Sequence, residues 1–180
     1  MDKQIERAFD KVKDRTKIVM LILSSCGGKA DAMDKAIVVL RRIRQTHALF
    51  TIVQNGAMCG SACIPIFLQG THRFGAPASV WLLHHSSGVA ADGDTVAYLA
   101  NPTVTERTFK EYFVPAGVSK RWLKKVRAKI KSGDYWQTGR DLWESKSGVL
   151  TTQLQDLEKR DKIKIQHFMP TVVCGDFCRG

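Results

Sequence analysis

The chain has 180 residues, with 28 lysines and arginines against 17 aspartates and glutamates and a formal net charge of +11. That length suits one domain with a small appendage and allows about 70% of the unfolded surface to be buried in a single core. The hydrophobic fraction of 44% is that of a globular chain and excludes intrinsic disorder as its general state. No apolar run approaches the roughly 20 residues that a bilayer-spanning helix requires. The segment Met1-Asp2-Lys3-Gln4-Ile5-Glu6-Arg7 is charged where a signal peptide is apolar, which reads as a cytoplasmic chain. The alternative is an exported protein from which a leader has been removed.

Taken in chain order, Ile5 to Arg15 reads as an amphipathic helix and Lys17 to Leu23 as a buried strand. Ala30 to Gln45 places Met33, Ala36, Ile37, Leu40 and Ile43 on one helical face. Ala48 to Gln54 is a strand, and Ala62 to Gln69 a short buried helix with Pro65 tolerable only in its first turn. Arg73 and Phe74 form a short extended element, followed by a strand over Ser79 to His84. The Gly/Ala/Ser-rich stretch Ser86 to Asp94 reads as a loop, and Thr103 to Val114 as a helix. A further helix starts at Ser119 as N-cap, with Trp122, Leu123, Val126 and Ile130 on its buried face. Val149 to Lys159 is expected to be helical and Ile163 to Val173 strand-like. Strands alternating with helices predict βαβ units and a largely parallel sheet, whose ligands gather at the carboxyl ends of the strands.

The chemistry concentrates between Asn55 and Ser87. Ser61 sits in a tight turn flanked by Gly60 and entering an apolar segment, and a strand downstream ends in His84 and His85. A serine hydroxyl needs a base within hydrogen-bond reach to act as a nucleophile, and that base is most often histidine. Upstream, Ser24-Ser25-Cys26-Gly27-Gly28 follows the first strand, and a Gly-Gly turn lets backbone amides approach a developing oxyanion without a β-carbon in the way. The plain alternative is that small residues at a strand-to-helix junction only pack, and that histidines at a strand end are surface. Strand alternation puts His84 and His85 on opposite faces and leaves both open as the base. Asp134, after Lys131-Ser132-Gly133, reads on its own as a turn or helix N-cap aspartate.

The order strand, S-x-C-G-G, helix, strand, C-G-S-A, helix, R-F-G-A-P-x-S-V-W-L-L-H resembles the Clp-type serine peptidase family within the crotonase-like superfamily. The resemblance covers roughly Lys17 to Leu150. It implies an α/β fold of repeated ββα spiral units with a largely parallel sheet and a protruding helical arm over about 95–131. It divides the chain into a Clp-peptidase-like domain over 1–150 and an unassigned C-terminal appendage over 151–180. The spacing from Pro77 to His84 matches that between the family's proline and its histidine, which favours His84 over His85. The segment Gly133-Asp134-Tyr135-Trp136-Gln137-Thr138-Gly139-Arg140-Asp141 matches the family's acidic stretch and gives Asp134 the triad position, with Asp141 as the later acid.

The implied site is therefore a triad of Ser61, His84 and Asp134, an oxyanion hole from the amides of Gly28 and Ala62, and a substrate-binding loop with Gly27 and Cys26. No metal or cofactor is implied. The implied substrate is a peptide or unfolded protein, with self-assembly into a homo-oligomer and an ATP-dependent unfoldase as partners. The sequence departs from the family at Cys26, where proline is usual, at His85 and Ser86 after the base, and at Cys59 and Cys63 around the nucleophile.

Five cysteines, Cys26, Cys59, Cys63, Cys174 and Cys178, include two C-x3-C pairs. The spacing suits zinc, but no histidine has ligand spacing to the C-terminal pair. In a cytoplasmic chain they are expected as free, packed thiols, and in an oxidising compartment Cys174 and Cys178 could pair. Redox control of Ser61 is a further expectation if Cys26, Cys59 and Cys63 lie around the site. Lys120, Arg121, Lys124, Lys125, Arg127, Lys129 and Lys131 coat the outer face of one helix, which reads as a solvated surface or as a docking face for nucleic acid or another polyanion. Two rivals to the peptidase remain. One is a crotonase-like acyl-CoA enzyme, whose Gly-rich loops polarise a thioester. The other is a catalytically idle scaffold that uses the basic face. The serine–lysine membrane peptidases of the superfamily fit the context of His84 less well.

Overall fold

The computed structural model describes residues 1–92, 95–152 and 172–173. Helix α1 (Asp2–Asp10) buries Ile5 and packs on α2 (Ala30–Ile43), where Glu6 pairs with Arg42. Strand β1 (Ile18–Ser24) pairs in parallel with β2 (Ala48–Val53), and β2 with β4 (His72–Gly75). Strand β9 (Val172–Val173) joins β1 on its other side, giving the order β4-β2-β1-β9. Both faces of this sheet are apolar, as all-parallel sheets require. Leu21, Leu23, Leu49 and Val53 join the main core with α2 and α3 (Cys63–Phe67), while Ile22, Phe50, Ile52 and Phe74 form a second cluster on the opposite face.

A second sheet, β3-β5-β8, holds the strand ends that matter for chemistry. Strand β3 (Met58–Gly60) runs parallel to β5 (Val80–Leu83), and β8 (Tyr135–Thr138) runs antiparallel to β5. The chain thus lays one strand in each sheet per repeat: β2 then β3 before α3, and β4 then β5 after it. This is the ββα spiral that the resemblance implies. The two sheets meet where β1 runs on past Ser24, and Ser25 bridges to Cys59.

Two elements differ from the sequence expectation in kind. The stretch expected as a loop from Ser86 is a hairpin of β6 (Ser87–Asp92) and β7 (Thr95–Ala100), with Asp92 opposite Thr95. Asp92-Gly93-Asp94 is a turn signal that the small-residue composition around it masked. Val149 to Thr152, expected to begin a helix, runs beside β4, where Thr152 bridges to Phe74. The remainder of that expected helix, 153–159, and most of the expected strand over 163–173 lie outside the described residues.

Helix α4 (Pro102–Thr108) begins with proline at its first position, and its N-cap Asn101 accepts from the Val104 amide at 3.1 Å. It continues as a π-helical turn over Phe109–Phe113 that turns Phe109, Tyr112 and Phe113 into the main core. Tyr112 donates to Asp34 on α2. Burial, that hydrogen bond and the nearby carboxylate charge push its phenol up to about 12.

Helix α5 (Lys120–Ile130) is capped by Ser119 as expected and buries Trp122, Leu123, Val126 and Ile130. Lys120, Arg121, Lys124, Lys125 and Lys129 stand exposed on its other side. Among the described residues its one ion pair is Arg127 to Glu106 at 2.6 Å, which holds the Glu106 carboxyl below its usual range. Helix α6 (Gly139–Glu144) follows β8 directly. Among the described residues no helix is long and apolar enough to cross a membrane.

Candidate active site

The carboxyl ends of β1, β3 and β5 lie side by side. The Ser25 amide donates to the Met58 carbonyl at 2.7 Å and the Gly60 amide to the Ser25 carbonyl at 2.9 Å. One residue further, the Ser61 amide donates to the Leu82 carbonyl at 2.8 Å. Gly27 and Gly28 after β1, Ser61 after β3 and His84 after β5 therefore share one edge. The antiparallel β8 starts at that edge, since Leu83 is paired with Tyr135. One more step of the same register sets Asp134 across from His84.

Ser61 has φ +50°, a left-handed conformation uncommon for a residue with a β-carbon; Lys146, just past α6, is the other described residue of this kind. At Ser61 it lifts the side chain out of the strand and leaves it half-buried. Its neighbours are small because nothing larger fits. A β-carbon at Gly60 would stand 2.8 Å from the Cys26 carbonyl oxygen. One at Gly27, which has φ +126°, would stand 2.7 Å from the Ser61 β-carbon and 3.3 Å from the Ala62 amide nitrogen. The loop is held in that approach by Ser25, whose hydroxyl accepts from the Gly27 amide at 3.1 Å. The next two amides, those of Gly28 and Ala62, donate to no acceptor among the described residues. Backbone N–H groups beside one serine, without an acceptor among the described residues, are the kind of donor from which an oxyanion accepts.

Cys59 and Cys63, expected as free thiols, are joined by a disulfide with a Cα–Cα distance of 5.3 Å. The bridge closes over Gly60, Ser61 and Ala62. Cys26 is also disulfide-bonded. The pair expected in the tail, Cys174 and Cys178, lies outside the described residues.

His84 is half-buried, and its Nδ1 donates to the His85 carbonyl at 2.5 Å. A carbonyl can only accept, so Nδ1 carries the hydrogen of this bond, and in the neutral ring Nε2 is then the acceptor. His85 turns the opposite way, towards the Thr105 hydroxyl on α4 at 3.3 Å. Asp134 is exposed at the start of β8. Among the described residues no hydrogen bond joins Ser61 to His84 or Asp134 to His84. The fold brings the three strand ends together, and the side chains stand unlinked. No group of three or more His, Cys, Asp or Glu among the described residues is placed to hold a metal ion.

Solved structures share this architecture. A serine-to-alanine mutant of the 1510-N membrane-bound stomatin-specific protease matches with a TM-score of 0.68 and 20% identity, over 96% of this chain and 85% of that one. A lysine-to-alanine mutant of that protease in complex with a substrate peptide matches at 0.65 and 19%, over 96% and 80%. ClpP1 from Listeria monocytogenes matches at 0.61 and 14%, over 85% and 83%. The chain has the Clp-type peptidase fold. At these identities the likeness is one of fold. No protein-family model matches the sequence, and no curated protein sequence does.

Within the Clp-type fold, the R-F-G-A-P-x-S stretch acts through architecture. Sequence reasoning used it as a motif and missed what its members do. Buried Arg73 donates from Nε to the Val149 carbonyl at 2.8 Å and from its terminal nitrogen to the Gly148 and Ala116 carbonyls at 2.8 and 2.9 Å. Burial lowers its guanidinium to about 10, which keeps it charged at neutral pH. Ser79, fully buried, donates to the Ala76 carbonyl at 2.6 Å and accepts from the Trp81 indole at 2.8 Å. Gly139 presses into the same corner, where a β-carbon would stand 2.1 Å from the Ala76 carbonyl oxygen. These contacts lock the β4–β5 turn to the β8–α6 junction and so anchor the start of β5 against the end of β8, setting the register of the pair.

Proposed function

We propose that this chain is a serine peptidase of the Clp type. The observation that carries the reading is the approach of Gly27 onto Ser61, where a β-carbon at Gly27 would stand 2.7 Å from the Ser61 β-carbon. The protease and peptidase names of the matching structures support it, one of them a complex with a substrate peptide. In the reaction, Ser61 Oγ attacks the peptide carbonyl while His84 Nε2 takes its proton. The carbonyl oxygen, now an oxyanion, accepts from the Gly28 and Ala62 amides. His84 then gives the proton to the leaving amine, and water repeats the sequence on the acyl-enzyme. Asp134 orients His84, taking over Nδ1 from the His85 carbonyl as catalytic contacts tighten on substrate binding. Gly27 and Cys26 line the substrate side of the loop.

The proposal extends to the division into a unit over 1–150 and an appendage over 151–180, to self-assembly, and to an unfoldase partner. Val38 on α2 and Leu99 on β7, 67% and 59% exposed, are apolar side chains that self-assembly would cover. The disulfide at Cys59 supports the exported alternative over the cytoplasmic one, because such bridges persist in oxidising compartments.

Ser61→Ala is expected to abolish peptide turnover and to remove labelling by a fluorophosphonate probe, while thermal unfolding stays unchanged. Labelling that survives the substitution would falsify the assignment. Binding of coenzyme A without serine labelling would favour the acyl-CoA alternative.

A further inference from the structure

We infer that the Cys59–Cys63 disulfide is an activation lock: the dithiol form of the chain is inactive, and oxidation sets the nucleophile turn. The inference rests on the reading of Ser61 as nucleophile. The two cysteines bracket that serine symmetrically, two residues before and two after, and are 0% and 2% exposed. Cys59 belongs to β3, whose position is set by pairing with Trp81 and by the bridge to Ser25. Cys63 is the first residue of α3, and the Ala62 amide proposed for the oxyanion hole immediately precedes it. The bridge therefore fixes the angle between the strand that delivers Ser61 and the helix start that delivers Ala62.

The surroundings leave the turn no slack. Two bonded sulfurs lie about 2 Å apart, whereas two thiols must stand at van der Waals separation, roughly twice as far. That extra width has to be found inside a close-packed core. On one side Gly27 already allows no added atom against Ser61, and on the other Gly60 allows none against Cys26. Reduction must therefore shift Ser61 against the Gly27-Gly28 amides.

Activation is a thiol–disulfide exchange with a disulfide oxidant, either a small molecule or another protein. The thiolate of one cysteine attacks the oxidant, bonds to one of its sulfurs and expels the other as a thiolate. The second thiolate then attacks the mixed disulfide, closing Cys59–Cys63 and releasing the oxidant's remaining sulfur, and the two protons lost by the cysteines end on the reduced oxidant. A chain made in a reducing compartment is silent until it reaches an oxidising one.

The test compares protein purified under tris(carboxyethyl)phosphine with protein oxidised by glutathione disulfide. Alkylation and mass mapping report the state of each cysteine, and the same comparison is run in a Cys26→Ala background so that the other bridge does not contribute. Two readouts are taken: hydrogen exchange at the Ser61 and Ala62 amides, and the rate of fluorophosphonate labelling. Reduction is expected to speed exchange at the Ser61 amide at least tenfold, with Leu21 to Leu23 unchanged, and to slow labelling at least tenfold, reversibly. A Cys59→Ala/Cys63→Ala variant should label slowly under both conditions. Unchanged exchange at Ser61 in protein with both thiols alkylated overturns the lock, as does equal labelling of the two forms. Faster exchange with no Ser61-dependent labelling in either form supports the clamp on the turn and overturns the peptidase reading instead.

Discussion

A β-carbon at position 27 would come within 2.7 Å of the Ser61 β-carbon, closer than packed atoms come. Gly27→Ala must therefore either displace the Ser61 turn or strain its own left-handed backbone, with φ at +126°. The fluorophosphonate labelling rate is expected to fall at least a hundredfold. The stability loss should stay near 1–2 kcal/mol in urea titration, the cost of alanine in a left-handed conformation. A labelling rate within threefold of wild type would show that the loop gives way freely. The same scale explains why two histidines could not be told apart by pattern. Alternation separates their faces, but only tertiary contacts say that Thr105 meets one of them and that the other stands at the edge beside Ser61. The tight turns at Ser61 and Gly27 were legible because turn chemistry is local. Ser25, which holds the Gly27 amide, was not, since a serine two residues before a glycine is unremarkable in any loop.

Helix α5 starts at its expected cap, Ser119, and α2 runs from the predicted Ala30 without a side-chain cap; the Asn101 cap of α4 was not read from the sequence. Two short strands, β3 and β8, escaped the pattern, while β4 and β5 were read from it. Strand β3 is too short to alternate, and β8 inverts the usual preference, with Gln137 buried and Trp136 52% exposed.

Strand β8 also hands over to α6 through a reciprocal cap. The Asp141 carboxylate accepts from the Thr138 amide and hydroxyl, each at 2.7 Å, and the Asp141 amide donates back to the Thr138 hydroxyl at 3.1 Å. Those bonds hold the Asp141 carboxyl below its ordinary 3.8. A carboxyl with a lowered native pKa adds stability above its unfolded value, and loses it as pH falls through the native one. Asp141→Ala should therefore cost about 0.5–1 kcal/mol at pH 7, the low end for a cap on an exposed side chain. The gap between wild type and variant should narrow below about pH 4 and close near pH 2. A gap constant across that range would assign the loss to packing.

Across the whole molecule, the alternation of strands and helices made an α/β fold with parallel strands readable. The division into two sheets was not readable, because it depends on which strands pair across tens of residues. Arg73 joins those distant parts. From β4 it reaches the carbonyls of Ala116, Gly148 and Val149, and its own backbone amide donates to the Thr151 hydroxyl at 2.8 Å. Arg73→Met keeps the length and removes the donors, leaving three carbonyls without them. The expected loss is about 3–5 kcal/mol in urea denaturation, with a common transition by fluorescence and circular dichroism. A loss under 1 kcal/mol would mean that water replaces the guanidinium.

The cations of α5 have a consequence for kinetics. Lys120, Arg121, Lys124, Lys125 and Lys129 stand exposed with no ion pair among the described residues, and the helix leads within a few residues to Asp134 at the edge that carries Ser61. For the peptidase proposed above, their summed field, reaching about 10 Å into 0.1 M salt, is expected to draw negatively charged chains to this face before any contact forms. Acidic peptides should therefore be captured faster than neutral ones of equal length. Their kcat/KM should fall as salt is raised from 20 to about 500 mM, while kcat stays flat. The basic surface would then select substrates by how often they arrive, whatever the cleft itself prefers.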